Sequence, residues 1–128
     1  MKPLVEIMKL NLERYGSKLD VEKFKKTFLE EVQEVIDALE DGDIHGFIDG
    51  CNDCIVVAAG GITQAGYNPE LTLKQVVKEI TSREQDPIQE YTWKLNPQLQ
   101  DTEKWLKNKD QEDTYKADFS VCKLGRGK

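Results

Sequence analysis

Apolar residues recur at helical spacing through the first two thirds of the chain. The pattern predicts a short amphipathic helix from Pro3 to about Arg14. Asp20 is a typical N-cap for a second, longer helix that continues to about Glu40. The apolar stripe of this second helix comprises Val21, Phe24, Phe28, Val32, Val35, Ile36 and Leu39.

The third predicted helix, from about Ile44 to Gln64, carries two different stripes. One stripe is apolar and comprises Ile44, Ile48, Cys51, Ile55 and Ile62. The other lies on roughly the opposite side and comprises Asp49, Asp53, Val56 and Gly60. A helix that uses two faces is typical of a central position in a bundle. A fourth helix is predicted from Leu71 or Thr72 to about Glu84, after a turn at residues 66–69.

Beyond Gln85 the helical periodicity fades into a polar stretch punctuated by prolines. Only Thr102 to Lys109 retains a pattern that predicts one short helix. We therefore expect an all-α fold with a four-helix-bundle-like core. Residues 1–85 form this helical core, and residues 86–128 form an irregular C-terminal extension that packs on the same domain.

The composition narrows the classes of function. The formal net charge of −6 and the pI near 4.9 argue against a general nucleic-acid binder. A nucleotide substrate is still compatible with this charge, because a bound metal ion reverses the local electrostatic field around the phosphates. No signal peptide and no apolar run of membrane length is recognisable, which favours a cytoplasmic protein without a membrane partner. Three cysteines favour small buried thiols over a disulfide framework or a zinc site.

Four carboxylates on the second and third helices are the candidate chemistry: Glu31, Glu34, Asp49 and Asp53. Spacings of three and four residues place each pair on one side of its helix. The second pair precedes an apolar segment, where uncompensated carboxylates are costly. Oxygen ligands of this kind favour Mg²⁺, or alternatively Mn²⁺. The competing interpretation is a set of ordinary surface acids in a chain that is 33% charged.

Helical rotation distinguishes the glutamates of the second helix. At about 100° per residue, Glu31 falls at the margin of the apolar stripe, Glu34 falls beside it, and Glu30 points away from the core. The short turn between the two helices requires them to pack antiparallel. This packing can bring the glutamate pair and the aspartate pair together.

The sequence Glu30-Glu31-Val32-Gln33-Glu34, followed by an acidic pair on the next helix, resembles the all-α nucleoside triphosphate pyrophosphohydrolases. These include MazG-like enzymes, dimeric dUTPases and phosphoribosyl-ATP pyrophosphohydrolases. The resemblance extends from about Phe24 to Arg83 and implies that Glu31, Glu34 and Asp53 are metal ligands. Gly50 stands where the family usually has a glutamate ligand, so Asp49 is matched instead to the Asp-Gly-x-x-Asp form of the phosphoribosyl-ATP branch. The segment Tyr115–Phe119 resembles C-terminal extensions of phage-encoded members.

The resemblance implies a magnesium-dependent hydrolase that cleaves the α–β bond of a (d)NTP to give NMP and pyrophosphate. Glu31 and Glu34 are then catalytic as well as metal-binding, and Lys78 and Arg83 bind the substrate's phosphates. A homodimer or homotetramer is expected, because the third helix needs more covering surface than its neighbours offer. Two alternatives remain open: a phosphoribosyl-ATP pyrophosphohydrolase, and a non-catalytic acidic helical interaction module.

Overall fold

The computed structural model describes residues 1–82 and 115–125, which contain four α-helices. The all-α class is confirmed, and within these residues extended pairing is confined to an isolated bridge between Tyr67 and Lys123. No helix in this part of the chain combines the length and apolar character needed to cross a membrane. The helices are α1 (Pro3–Tyr15), α2 (Val21–Glu40), α3 (Ile44–Gln64) and α4 (Pro69–Ser82), and a 3-10 helix spans Phe119–Cys122.

Side-chain caps fix where α2 and α3 begin. The Asp20 carboxylate accepts a hydrogen bond from the Lys23 amide at 3.1 Å, and the Asp43 carboxylate accepts one from the Gly46 amide at 2.9 Å. Each cap satisfies an amide that the first helical turn leaves without a partner. Gly42 adopts a φ of 68° in the turn between the helices, a conformation that favours glycine. The bounds predicted for α2 and α3 are therefore confirmed.

The predicted start of α4 was two or three residues too late. The Asn68 side chain accepts hydrogen bonds from the amides of Glu70 at 2.9 Å and Leu71 at 3.2 Å, so it caps the helix. Pro69 is the first helical residue, where a missing N–H costs nothing and the fixed φ suits a helix. The predicted end at Glu84 and the predicted helix from Thr102 to Lys109 lie outside the described residues.

Glycines allow α3 to approach its neighbours closely. A Cβ on Gly50 would lie 2.8 Å from the Val35 Cγ2 atom, and a Cβ on Gly61 would collide with the Phe24 ring of α2. On the side toward α1, a Cβ on Gly60 would lie 2.6 Å from the Asn11 amide nitrogen. α3 therefore packs against both α1 and α2.

The apolar stripes predicted for α2 and α3 are only partly covered. In the described residues, the buried hydrophobic side chains are Ala38, Ala59 and Cys122. Phe24 and Phe28 are half-buried and stack on each other, with ring centroids 5.5 Å apart. The remaining large aliphatic side chains of the two stripes are mostly exposed, including Val21, Ile36 and Leu39 on α2 and Ile44, Ile48 and Ile55 on α3.

The chain divides into two compact units. The first comprises Met1–Thr72 with Phe119–Lys128, and the second comprises Leu73–Asp118. Within the first unit, the Asn68 amide donates to the Cys122 carbonyl at 2.8 Å, which fixes the 3-10 helix beside the turn that precedes α4. Within the second unit, the Ala117 amide donates to a Glu79 carboxylate oxygen at 2.8 Å, so residues 115–118 lie along α4.

Candidate metal centre

Three of the four predicted carboxylates come together between α2 and α3. Glu31, Glu34 and Asp53 each present a carboxylate oxygen, and these oxygens lie within 4.8 Å of one another. Glu31 and Asp53 are partly buried, whereas Glu34 is exposed. We call these three residues the carboxylate cluster.

The register between α2 and α3 produces this cluster. Gly50 meets Val35, and Gly61 meets Phe24, so the two helices run in opposite directions. Asp53 lies between these two contacts on α3, at the level of Glu31 on α2. Because glycine has no side chain, the helices approach closely there, and carboxylates from both reach the same point.

One oxygen of the cluster is buried without a hydrogen-bond partner. Oε2 of Glu31 is enclosed and accepts no hydrogen bond. Within residues 1–82 and 115–125, no Lys or Arg forms a salt bridge with any member of the cluster. A buried carboxylate oxygen that lacks both a donor and a counter-charge is destabilising.

The surroundings of Glu31 make its carboxylate hard to ionise. Its pKa is raised above 4.5, first by desolvation and then by the charge and hydrogen bonding of Glu34 and the charges of Asp53 and Glu30. The pKa of the Cys54 thiol is also raised, first by desolvation and then by Cys51 and the cluster carboxylates. Desolvation is the largest cause of both pKa shifts, and the nearby negative charges add to it.

A divalent cation fits this donor set. Mg²⁺ prefers carboxylate and water oxygens, and it commonly keeps positions for water or for substrate phosphates. Three converging carboxylates can supply the protein ligands of a Mg²⁺ coordination sphere. A cation beside Glu31 would also interact with Oε2 of Glu31, the oxygen that has no hydrogen-bond partner. The residues that would hold the ion are Glu31, Glu34 and Asp53.

The fourth predicted ligand is placed differently. Asp49 is exposed and does not belong to the cluster. It lies one turn before Asp53, at the level of Val35 and Ala38, where α2 presents apolar side chains inward. The ligand role of Asp49 remains a prediction from the family resemblance.

The predicted phosphate-binding residues belong to another part of the chain. Lys78 lies in the second unit, where its ammonium is 4.2 Å from the centre of the Tyr115 ring, a cation–π contact. Arg83 lies outside the described residues. Glu30 is exposed, as helical rotation predicted.

A cavity that the sequence did not reveal lies close to the cluster. It has a volume of about 240 Å³ and is bounded by α1, α2 and α3. Thr27 in its wall is one turn before Glu31, and Val56 and Val57 are about one turn beyond Asp53. Phe24 belongs to the apolar stripe predicted for the second helix, but only packing shows which residues surround it. The other lining residues are Asn11, Tyr15, Asp20, Lys23, Gly60, Gly61 and Gln64.

The chain matches no protein-family model, no curated protein and no solved structure.

Proposed function

We propose that this protein is a magnesium-dependent nucleoside triphosphate pyrophosphohydrolase that releases a nucleoside monophosphate and pyrophosphate. The observation that carries the proposal is the carboxylate cluster, whose oxygens lie within 4.8 Å of one another around a buried, unsatisfied oxygen of Glu31. The motif resemblance to the all-α pyrophosphohydrolases supports the same assignment, because three of its four matched ligand positions form the cluster and only Asp49 lies outside it.

The cluster residues have defined tasks in this proposal. Glu31, Glu34 and Asp53 would hold the cation between two packed helices, and the exposure of Glu34 leaves that side of the cluster open. A bound Mg²⁺ neutralises phosphate oxygens and activates water for attack at phosphorus. A carboxylate oxygen of Glu31 or Glu34 that does not bind the cation would accept the single proton released by the attacking water.

The neighbouring cavity supports a nucleotide rather than a simple phosphate ester. It begins about one helical turn, or about 5.4 Å, from the cluster along both α2 and α3. Its wall combines the ring of Phe24 with the side-chain amides of Asn11 and Gln64, which hydrogen-bond to each other at 2.9 Å. A flat apolar surface beside amide groups suits a nucleobase, while the phosphates extend to the cluster.

The acidic interaction module is the less favoured alternative. A face that docks onto a basic partner would expose its carboxylates, as Glu30 and Asp49 do. The enclosed Oε2 of Glu31 does not fit that description, since a protein partner could not reach it. A phosphoribosyl-ATP pyrophosphohydrolase would use the same centre, so only the substrate distinguishes it.

The test is a panel of canonical and modified (d)NTPs and phosphoribosyl-ATP, incubated with the full chain and Mg²⁺. We expect pyrophosphate and a monophosphate from at least one substrate, and no turnover with EDTA. Calorimetry with Mg²⁺ alone tests the centre separately from the choice of substrate. No Mg²⁺ binding would contradict the metal centre, and release of orthophosphate alone would contradict the position of cleavage.

A further inference from the structure

Two of the three cysteines lie together on α3 and are partly open to solvent. Cys51 and Cys54 are half-buried and free, whereas Cys122 is buried. The expectation of buried thiols is therefore met by Cys122 alone. The sequence Cys51-Asn52-Asp53-Cys54 also places a member of the carboxylate cluster between the two thiols. Neither thiol has a task in the proposed hydrolysis.

The helix brings these two thiols close to each other and to the cluster. Residues three apart share one side of an α-helix, with their Cα atoms about 5 Å apart. This separation falls within the range of about 4.4–6.8 Å that is usual for Cα atoms joined by a disulfide. Besides desolvation, Cys51 and the cluster carboxylates raise the pKa of the Cys54 thiol, so both lie near it.

A disulfide at this position requires α3 to distort locally. The Cβ atoms of residues i and i+3 in a helix are about 5–6 Å apart, whereas those of a disulfide are about 3.5–4.5 Å apart. Closing the bond therefore draws the ends of the turn formed by residues 51–54 together by about 1–2 Å. Gly50, directly before this turn, is packed tightly against Val35 and has no room to move toward α2. The displacement therefore falls on the residues that follow, which include Asp53.

We propose that Cys51 and Cys54 are a site of reversible oxidation, and that their disulfide draws Asp53 away from the carboxylate cluster. The oxidant is a small-molecule disulfide such as glutathione disulfide. The thiolate of one cysteine attacks it and expels one glutathione, and the second thiolate then attacks the mixed disulfide and expels the other. The two protein thiols lose two electrons and two protons, which appear in the two glutathione thiols. The raised pKa of the Cys54 thiol slows this exchange without changing its products.

The consequence for the metal centre rests on the proposed function. In the reduced chain, carboxylate oxygens of Glu31, Glu34 and Asp53 lie within 4.8 Å of one another. Mg²⁺ demands near-ideal geometry at about 2.0–2.1 Å, so a displacement of about 1–2 Å at one ligand is enough to weaken its binding. Oxidation should therefore release Mg²⁺, and reduction should restore its binding.

Thiol mapping on the full chain tests whether the disulfide forms. The folded chain is incubated with glutathione disulfide until its composition is constant, and it is then denatured and alkylated. We expect Cys51 and Cys54 to resist alkylation within a single chain, without bound glutathione, while Cys122 is alkylated. Dithiothreitol should restore alkylation of all three. Alkylation of Cys51 and Cys54, a stable mixed disulfide on either one, or a disulfide between chains would overturn the proposal.

Hydrogen exchange and calorimetry test the effect of the disulfide. In the oxidised chain the amides of residues 53–58 should exchange at least about tenfold faster than in the reduced chain, while those of α4 stay unchanged. Mg²⁺ alone should bind the oxidised chain at least about tenfold more weakly, and treatment with dithiothreitol should reverse the loss. The double variant Cys51→Ser/Cys54→Ser is the matched control, and its Mg²⁺ affinity should be the same with and without oxidant.

Two outcomes would overturn the proposed effect once the disulfide has formed: unchanged exchange on α3, or unchanged Mg²⁺ affinity. A reduced chain that binds no Mg²⁺ would instead contradict the proposed metal centre. In that case the thiol map and the exchange rates still decide whether Cys51 and Cys54 are an oxidation site that distorts α3. Because the parent is compared before oxidation, after oxidation and after reduction, these readouts do not require the double variant to fold.

Discussion

The two sides of the α2–α3 hairpin place opposite kinds of residue in unfavourable surroundings. On one side, Glu31 and Asp53 bring carboxylates into a partly buried place without a cationic side chain in the described residues. On the other side, aliphatic residues such as Ile44 and Ile48 are more than half exposed. Each arrangement is costly in an isolated protomer and becomes favourable with a suitable partner. The acidic side suits a cation, and the apolar side suits another apolar surface.

The largest expected effect is on turnover. Asp53→Asn and Glu31→Gln each remove one charge from the carboxylate cluster while nearly conserving shape, and under the proposed function each should lower kcat/KM by at least about a hundredfold. Glu30→Gln is the matched control, because Glu30 is exposed and adjacent to Glu31. Steady-state assays on the best substrate provide the measurement. Equal activity of the Glu31 and Glu30 variants would show that the acidic side is not the active centre.

The next effect separates metal binding from folding. Mg²⁺ at a hundred times its Kd should stabilise the parent by about 2.7 kcal/mol, because it binds only the folded chain. Glu34→Gln should lose most of this gain, yet melt at the parent's temperature or higher without metal, since it relieves charge repulsion. Thermal melts with Mg²⁺ and with EDTA measure both quantities.

The same melts decide the role of Asp49. Asp49→Asn keeps the parent's magnesium shift if the three-residue cluster is sufficient, and it loses the shift if Asp49 is a fourth ligand. The Glu34→Gln variant has its own contradicting outcome. If it melts below the parent without metal, Glu34 stabilises the fold as a structural acid and does not repel its neighbours.

A third effect tests the close contact between α2 and α3. Gly50→Ala should lower the free energy of unfolding by about 1 to 3 kcal/mol, because the new Cβ would lie 2.8 Å from the Val35 Cγ2 atom. On a Val35→Ala background the same substitution should cost less, since the obstructing methyl is absent. A double-mutant cycle by denaturant unfolding measures this coupling. Additive effects would show that the helices do not meet at this point.

The smallest effect is a dependence on pH in the metal-free protein. The raised pKa of Glu31 means that the folded chain binds this proton more tightly than the unfolded chain, whose reference value is 4.5. The stabilising contribution of Glu31 is therefore complete below pH 4.5 and is lost as the pH rises through the raised pKa. As the pH rises through this range, the Glu31→Gln variant should therefore become more stable relative to the parent. Melting temperatures of the parent and of Glu31→Gln, measured from pH 4 to pH 8 in EDTA, test this expectation. A difference between the two proteins that stays the same at every pH would contradict it.

Local sequence determined the helices and their ends. The apolar periodicity, the caps at Asp20 and Asp43 and the turn at Gly42 all act within a few residues, so α2 and α3 were predictable to the residue. The start of α4 was missed because Asn68-Pro69 was interpreted as a turn, although the same pair can cap and begin a helix. The convergence of Glu31, Glu34 and Asp53 was anticipated from the spacing of the two acidic pairs and from the family resemblance, although the sequence grouped Asp49 with them.

Tertiary packing decided what depends on contacts between helices. Two contacts set the register between α2 and α3: Gly50 lies against Val35, and Gly61 lies against Phe24. This register brings Asp53 into the carboxylate cluster and leaves Asp49 exposed outside it. The cavity beside the cluster likewise exists only because three helices leave space between them. A helical pattern shows which residues share a stripe, but not whether a neighbour covers it. The sequence therefore determined the stripe that contains Ile44 and Ile48, and only the packed structure showed that it is exposed.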